Sequence, residues 1–178
     1  MSLKEYNQLK EVFSKVSIAS DVEGILHWDM STMMPSNSRQ NRANQLAFIA
    51  NLKHSLLSDP SVTELISNID SGQLSKNDLT NFKEMQREYV LLSSLPSDLV
   101  EAISKTSALC EGKWQEAKKN CDFSIVKSSL NDLINLSRQE SEILSEKLNC
   151  SPYEALIQKY EPYSNVDHIT KVFKDLEI

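Results

Sequence analysis

The chain has 178 residues, 40% of them apolar and 25% charged, with a net charge of −6. That length suits one domain over residues 1–178, burying roughly 70% of its unfolded surface. No Lys/Arg cluster forms a stripe, which argues against a nucleic-acid partner. No segment approaches the roughly 20 apolar residues that span a bilayer, so no membrane association is expected. Only three Gly and five Pro leave few tight turns, and the expected fold is all-α with about seven or eight helices in a multi-helical bundle.

The first helix is expected from about Leu3 to about Trp28, where Leu3, Tyr6, Leu9, Phe13, Val16, Val22, Ile25 and Leu26 recur at three- and four-residue steps. Gly24 inside it costs about 1 kcal/mol against Ala, which a close helix neighbour or a local bend would explain. Pro35 enforces a break. A second helix runs from near Ser38 to about Leu57, with Leu46, Ile49, Ala50, Lys53 and Leu57 on one face. Asp59-Pro60 caps and restarts the chain, and Val62, Leu65, Ile66 and Ile69 form a short third helix ended by Ser71-Gly72.

Ser75-Lys76-Asn77-Asp78 resembles a capping box with Asp in place of Glu. It opens a fourth helix carrying Leu79, Phe82, Met85, Tyr89 and Leu92. After Pro96-Ser97-Asp98 a fifth helix runs from about Leu99 to Lys119. Asn120-Cys121-Asp122 makes a turn containing a cap. A sixth helix of about 25 residues places Ile125, Leu130, Leu133, Leu136, Ile143, Leu144 and Leu148 inward. Ser151-Pro152 opens a short helix through Tyr160, closed by Glu161-Pro162. Val166, Ile169, Val172, Phe173 and Leu176 begin a last helix that is still amphipathic at Ile178, which suggests a segment of something longer.

Nothing in the chain spells out a catalytic motif. The three histidines, His27, His54 and His168, contain no His-Glu-x-x-His pair. Glu23 and His27 lie one turn apart, a spacing compatible with sharing a metal, but a helix-surface pair is the simpler reading. Phosphate loops, dinucleotide fingerprints and nucleophile elbows are missing. Asp29 and Asp122 each sit beside an aromatic residue at a helix boundary, where capping or ion pairing is expected. Arg39 or Arg42 is placed to pair with Asp29 across the turn. Trp28 and Trp114 are expected as large apolar anchors of the core. Cys110, Cys121 and Cys150 are odd in number and widely spaced, so they read as free thiols filling core positions. With no secretory signal at the N-terminus, the expected location is cytoplasmic.

Four blocks carry a more specific signal. The first is Trp28, Asp29, Thr32, Met34 and Pro35. Next comes Arg42-Ala43-x-Gln45-Leu46 with His54 and Asp59-Pro60. The third is Trp114, Ala117, Lys118, Asn120, Asp122 and Phe123, leading to Leu130. The fourth is Tyr153, Ala155, Leu156 and Ile157 with Tyr160-Glu161-Pro162, then Val172-Phe173 and Leu176. In order and rough spacing these resemble the N-terminal region of the carboxypeptidase Taq family of zinc metallocarboxypeptidases. Trp28, Asp29, Thr32, Pro35, Arg42, Trp114, Asp122, Phe123, Tyr153 and Glu161 are the signature positions, and a structural role is expected for them. The chain departs from the family pattern at Lys118 (usually Arg), Val126 (aromatic), Ser128 (Pro), Gln158 (acidic) and Tyr163 (Gly).

The resemblance implies the N-terminal helical lid half of a gluzincin-type carboxypeptidase, which removes C-terminal residues from peptides. In the family, the zinc ligands and general-base Glu lie C-terminal to anything in this chain. It therefore assigns no catalytic and no metal residue here and expects zinc or another divalent metal only in a complete enzyme. The expected partners are the catalytic half, in cis or in trans, and a peptide substrate only in that complete enzyme; a second copy of the chain is a further candidate. The competing reading is a non-enzymatic helical interaction module that kept the family scaffold. A large exposed apolar surface would favour the first reading.

Overall fold

The computed structural model describes residues 2–177. Eight α-helices follow one another: α1 (Ser2–Thr32), α2 (Arg39–Leu57), α3 (Pro60–Asn68), α4 (Lys76–Ser93), α5 (Ser97–Asn120), α6 (Ser124–Leu148), α7 (Pro152–Ile157) and α8 (Val166–Leu176). Short 3-10 turns at Ser36–Ser38 and Ser71–Gln73 join α1 to α2 and α3 to α4. No strand occurs among the described residues. Ile178, where the still-amphipathic end was expected, lies outside them.

The caps follow sequence chemistry. Asp59 accepts the Ser61 N–H at 2.8 Å with Pro60 opening α3. Ser75 accepts the Asp78 N–H at 3.2 Å, but the Asp78 carboxylate turns back to the Ser75 hydroxyl rather than to its backbone, so this box is only half closed. The full box is at Ser151, whose N–H reaches Glu154 Oε2 at 3.2 Å while its Oγ accepts the Glu154 N–H at 3.3 Å. Glu has the extra methylene that Asp lacks. Two boundaries differ from expectation. α1 continues one turn past Trp28, to Thr32, and residues 158–160 form turns rather than helix.

The main helix contacts are α1 on α2 and α3, α2 on α4 and α5, α5 on α6, and α6 on α7. The apolar interior forms four clusters. Tyr6, Leu9, Phe13 and Val16 of α1 meet Leu57, Val62, Phe82 and Met85 at one end. Met30, Ala43, Leu46 and Ala108 join α1, α2 and α5 in the middle. Leu91, Leu95, Leu99, Leu144 and Ala155 form a third, and Cys110, Ala117 and Val126 a fourth.

The face expected of α1 is only half right. Tyr6, Leu9, Phe13 and Val16 are buried, but Leu3, Val22 and Ile25 point to solvent. A close helix neighbour does not explain Gly24, because a Cβ there would meet nothing within 4 Å. The close-approach glycine is Gly112 of α5, where a Cβ would lie 2.7 Å from Cδ of Arg39.

The surface is large for the mass. The chain exposes 11428 Å2 of accessible surface, whereas a compact monomer of 20.2 kDa exposes roughly 8,800 Å2. Helix α8 accounts for part of the difference, since none of its described residues is buried. No helix among the described residues is long and apolar enough to cross a membrane.

Candidate functional site

The Trp28–Pro35 segment is a helix stop clamped to α2. The amides of Met33 and Met34 both donate to the Asp29 carbonyl, at 3.0 and 2.8 Å, and Thr32 Oγ1 donates to the Trp28 carbonyl at 2.7 Å. Pro35 then sits in extended backbone and a single 3-10 turn leads into α2. Arg42 closes the clamp. Its Nη2 donates to Asp29 Oδ2 at 2.5 Å, its Nη1 to the Leu26 carbonyl, and its Nε to Gln45 Oε1 at 2.9 Å. One guanidinium thus binds a carboxylate and adds a second donor to a helix carbonyl in the last two turns of α1. Arg39 lies elsewhere, over Gly112 and 4.0 Å from Glu116.

The signature aromatics are not core. Trp28 is 62% exposed, Trp114 51%, Phe123 61% and Tyr153 69%. The expectation that Trp28 and Trp114 anchor the interior is therefore corrected. The buried positions of α2 and α5 include the small residues Ala43, Ala108, Gly112 and Ala117, and neither indole is among the buried side chains. Trp114 instead flanks a groove of about 730 Å3 between α5 and α6, with Cys110, Ala117, Phe123, Val126 and Leu133. The ammonium of Lys118 lies 5.2 Å from the centre of the Trp114 ring, a cation–π contact.

Asp122 is a cap rather than an acid catalyst. Its Oδ1 accepts the Ser124 N–H at 2.9 Å, and hydrogen bonding from Ser124 holds its carboxyl below the usual range. Cys121 closes α5 in the left-handed region at φ 52° and is exposed, so it is not the core filler expected. Cys110 is buried and Cys150 partly so, and burial pushes the Cys150 thiol up. All three thiols are free.

A smaller cavity of about 260 Å3 lies between α1, α2, α5 and α6, with Glu23, His27, Lys53, His54, Ser104 and Glu140 on its walls. Its charges answer one another. Lys53 pairs with Glu23, and Lys159 donates to Glu140 Oε1 at 2.7 Å. His54 Nε2 lies 2.7 Å from the Leu95 carbonyl, so that nitrogen carries the ring proton and donates. Glu140, only 6% exposed, was missed by sequence reasoning, as were both ion pairs. Their partners lie 30 and 19 residues apart, and no local spacing announces them. Glu23 is engaged by Lys53, which leaves the Glu23–His27 spacing without a metal-binding role. Among the described residues no three His, Cys, Asp or Glu side chains are grouped to hold a metal ion. The residues present therefore do not fit a zinc site.

The last signature residues, Tyr153 and Glu161, meet at a third groove of about 650 Å3 between α7 and α8, together with Ile157, Tyr160, Ile169 and Phe173. Tyr163 beside it holds φ 66°, a conformation that Gly adopts freely and a side chain pays for. Its Oη donates to Glu84 Oε1 at 2.7 Å. That bond, then Arg87 at 2.9 Å, lowers the Glu84 pKa, and the same bond raises that of Tyr163.

Comparison with known proteins gives a consistent result. The family model described as carboxypeptidase Taq (M32) metallopeptidase matches residues 8–178. Thermostable carboxypeptidase 1 of Thermus thermophilus is 24% identical over 97% of this chain and 36% of its own length. The Pyrococcus furiosus protein of the same name is 24% identical over 96% of this chain and 34% of its own. Among solved structures, metallocarboxypeptidase 1 of Trypanosoma cruzi superposes with a TM-score of 0.79 at 28% identity, covering 98% of this chain and 35% of that one. The crystal structure of BsuCP gives 0.85 at 21% identity, covering 97% and 35%. The chain spans about a third of the length of the curated relatives it matches.

Proposed function

The chain belongs to the carboxypeptidase Taq (M32) metallopeptidase family, and from that premise we propose that it is the N-terminal helical wall of a metallocarboxypeptidase, one helical domain that is inactive by itself. The observation that carries this reading is the outward placement of the signature aromatics. Trp28, Trp114, Phe123 and Tyr153 identify the family, yet each leaves half or more of its surface in water. Large aromatic side chains held at the surface of a well-packed bundle are what a contact surface looks like before its partner is added. The excess of accessible surface over a compact monomer supports the same reading. A self-sufficient interaction module would instead show a polar surface around a closed core.

In this reading zinc, its ligands and the proton-shuttling Glu come from the catalytic half, in cis or in trans, and the chemistry of peptide-bond cleavage is supplied there. This chain supplies shape. The Arg42–Asp29 clamp fixes the angle between α1 and α2, the Lys53–Glu23 pair ties the same two helices further back, and Lys159–Glu140 ties the turn after α7 to α6. Peptide substrate is bound only by the assembled enzyme. The free thiols suit a reducing, cytoplasmic setting.

The test is reconstitution. The chain alone is expected to bind no stoichiometric zinc and to release no C-terminal residue from a peptide. Co-expression with the complementary two-thirds of Bacillus subtilis carboxypeptidase 1, itself 22% identical over 94% of this chain, is expected to give a complex with carboxypeptidase activity. Stoichiometric zinc and peptide hydrolysis by the chain alone would overturn the proposal.

A further inference from the structure

Helix α8 has the pattern of a packed helix and little packing. Val166, Ile169, Val172, Phe173 and Leu176 fall on one side, and Asp167, Lys171, Lys174 and Asp175 around the rest. Val172, Phe173 and Leu176 are nevertheless exposed, and only Val166 and Ile169 are half-buried. An isolated helix of 11 residues is marginal in water without an apolar face to rest on. What holds α8 is its N-terminal end: Asn165 caps it through the His168 N–H at 2.8 Å, and Glu154 Oε1 accepts the Val166 N–H at 3.3 Å. At its far end the Glu177 N–H donates to the Phe173 carbonyl of α8 itself at 3.1 Å.

The groove that α8 makes with α7 is apolar and aromatic. Tyr153 and Tyr160 stand open on one wall, at 69% and 83% exposure, and Phe173 on the other. The charges around it are mixed, Glu161 and Asp167 against Lys171 and Lys174, so no single-sign ligand is favoured. Its volume of about 650 Å3 is open along its length, which suits a row of side chains rather than an enclosed small molecule.

We propose that the α7–α8 groove is a docking seam, and that its occupant is an apolar helical face from the part of the family fold this chain does not span. Three observations select that occupant. The family match runs through α8 to residue 178, so α8 is part of the shared architecture. The relatives contain about twice as much chain again beyond the portion matched. The surface in excess of a compact monomer, roughly 2,700 Å2, is several times the ~800 Å2 that one partner contributes to a standard interface. The proposal rests on the reading of the chain as one wall of a larger enzyme.

The experiment co-expresses the full chain with the complementary two-thirds of Bacillus subtilis carboxypeptidase 1, captures the complex through a tag on the chain, and follows hydrogen exchange at the α8 amides. Binding is expected to slow exchange across residues 169–176 at least tenfold. Val172→Asp and Phe173→Asp are expected to cut the captured partner at least tenfold while leaving the circular dichroism and Tm of the free chain unchanged, because α8 buries no residue. Capture that persists undiminished in both variants, with α8 exchange unaltered, would overturn the seam and leave the proposed function standing. No capture by the unaltered chain would overturn both. A free chain that is dimeric and becomes monomeric with Phe173→Asp would identify a second copy as the occupant and overturn the assignment.

Discussion

Gln158 accepts the backbone N–H of Tyr163 on its Oε1 at 2.9 Å and donates from its Nε2 to the Ser164 carbonyl at 2.6 Å. Gln158 thus holds a turn in which Tyr163 sits in the left-handed region at φ 66°. A carboxylate at 158 has no proton to give the Ser164 carbonyl. With a side chain at 163 in the left-handed region, the turn needs both bonds, and an amide is the group that accepts and donates at once.

Gln158→Glu is accordingly expected to cost about 1–2 kcal/mol at neutral pH, by opposing a charged oxygen to a carbonyl. The penalty should shrink near pH 4, where a protonated carboxyl donates as the amide does. Urea unfolding at the two pH values measures the difference, and an equal cost at both would contradict the account.

The two helix-interior glycines should respond in opposite directions. Gly24→Ala meets open space and is expected to stabilise the free chain by about 0.5–1 kcal/mol through helix propensity. Gly112→Ala drives a methyl into the Arg39 side chain, with atoms at 2.7 and 2.9 Å, and is expected to shift Arg39 and lose most or all of that gain. Thermal unfolding of the two variants side by side decides it.

Removing the clamp at the α1–α2 turn should be costly from one side. Arg42→Met strips partners from the Asp29 carboxylate and the Leu26 carbonyl together, for an expected loss of about 1–3 kcal/mol. Asp29→Asn should cost less, because an amide oxygen still accepts from the guanidinium. Denaturant midpoints give the ranking, and a larger loss for Asp29→Asn would contradict it.

Acid should unfold the chain chiefly below about pH 4. Glu84, Glu154, Asp59, Asp78 and Asp122 are all held below the ordinary carboxylate range, by hydrogen bonds from Tyr163, Ser151, Ser61, Ser75 and Ser124 respectively. A depressed folded-state pKa contributes stability above the unfolded value and loses it as pH falls through the folded one. Tyr6, through burial, and Tyr163, through Glu84, are raised, so their contribution is present below the ordinary phenol value and lost as pH rises past about 10. Stability should be flat from about pH 5 to 8, with Glu154→Gln shallowing the acid limb.

Legibility varied with the range of the interaction. The helix order, the Asp59 cap and the narrowing of Asp29's partner to Arg39 or Arg42 could be read from the chain because each is decided within a turn or two, or across one short break; the choice of Arg42 was made by the fold. Trp28 and Trp114 were misplaced because size and hydrophobicity say that an indole prefers burial and say nothing of whether the packed helices leave room for it. Gly24 misled for a related reason: an interior glycine announces its cost and not the neighbour that would justify it.

Sequence alone determined the all-helical class, the punctuation by Pro35, Pro60, Pro96 and Pro152, and the resemblance to one peptidase family, because caps, breaks and motif order are local properties of the chain. Only the tertiary structure decided which faces were spent. α2 packed against α5, and the signature aromatics were left outside. The remote pairs Lys53–Glu23 and Lys159–Glu140 filled the interior cavity with answered charges. Most of the apolar stripe on α8 was left over because interior contact area is shared among all helices at once, and only Val166 and Ile169 of the last helix are half-buried.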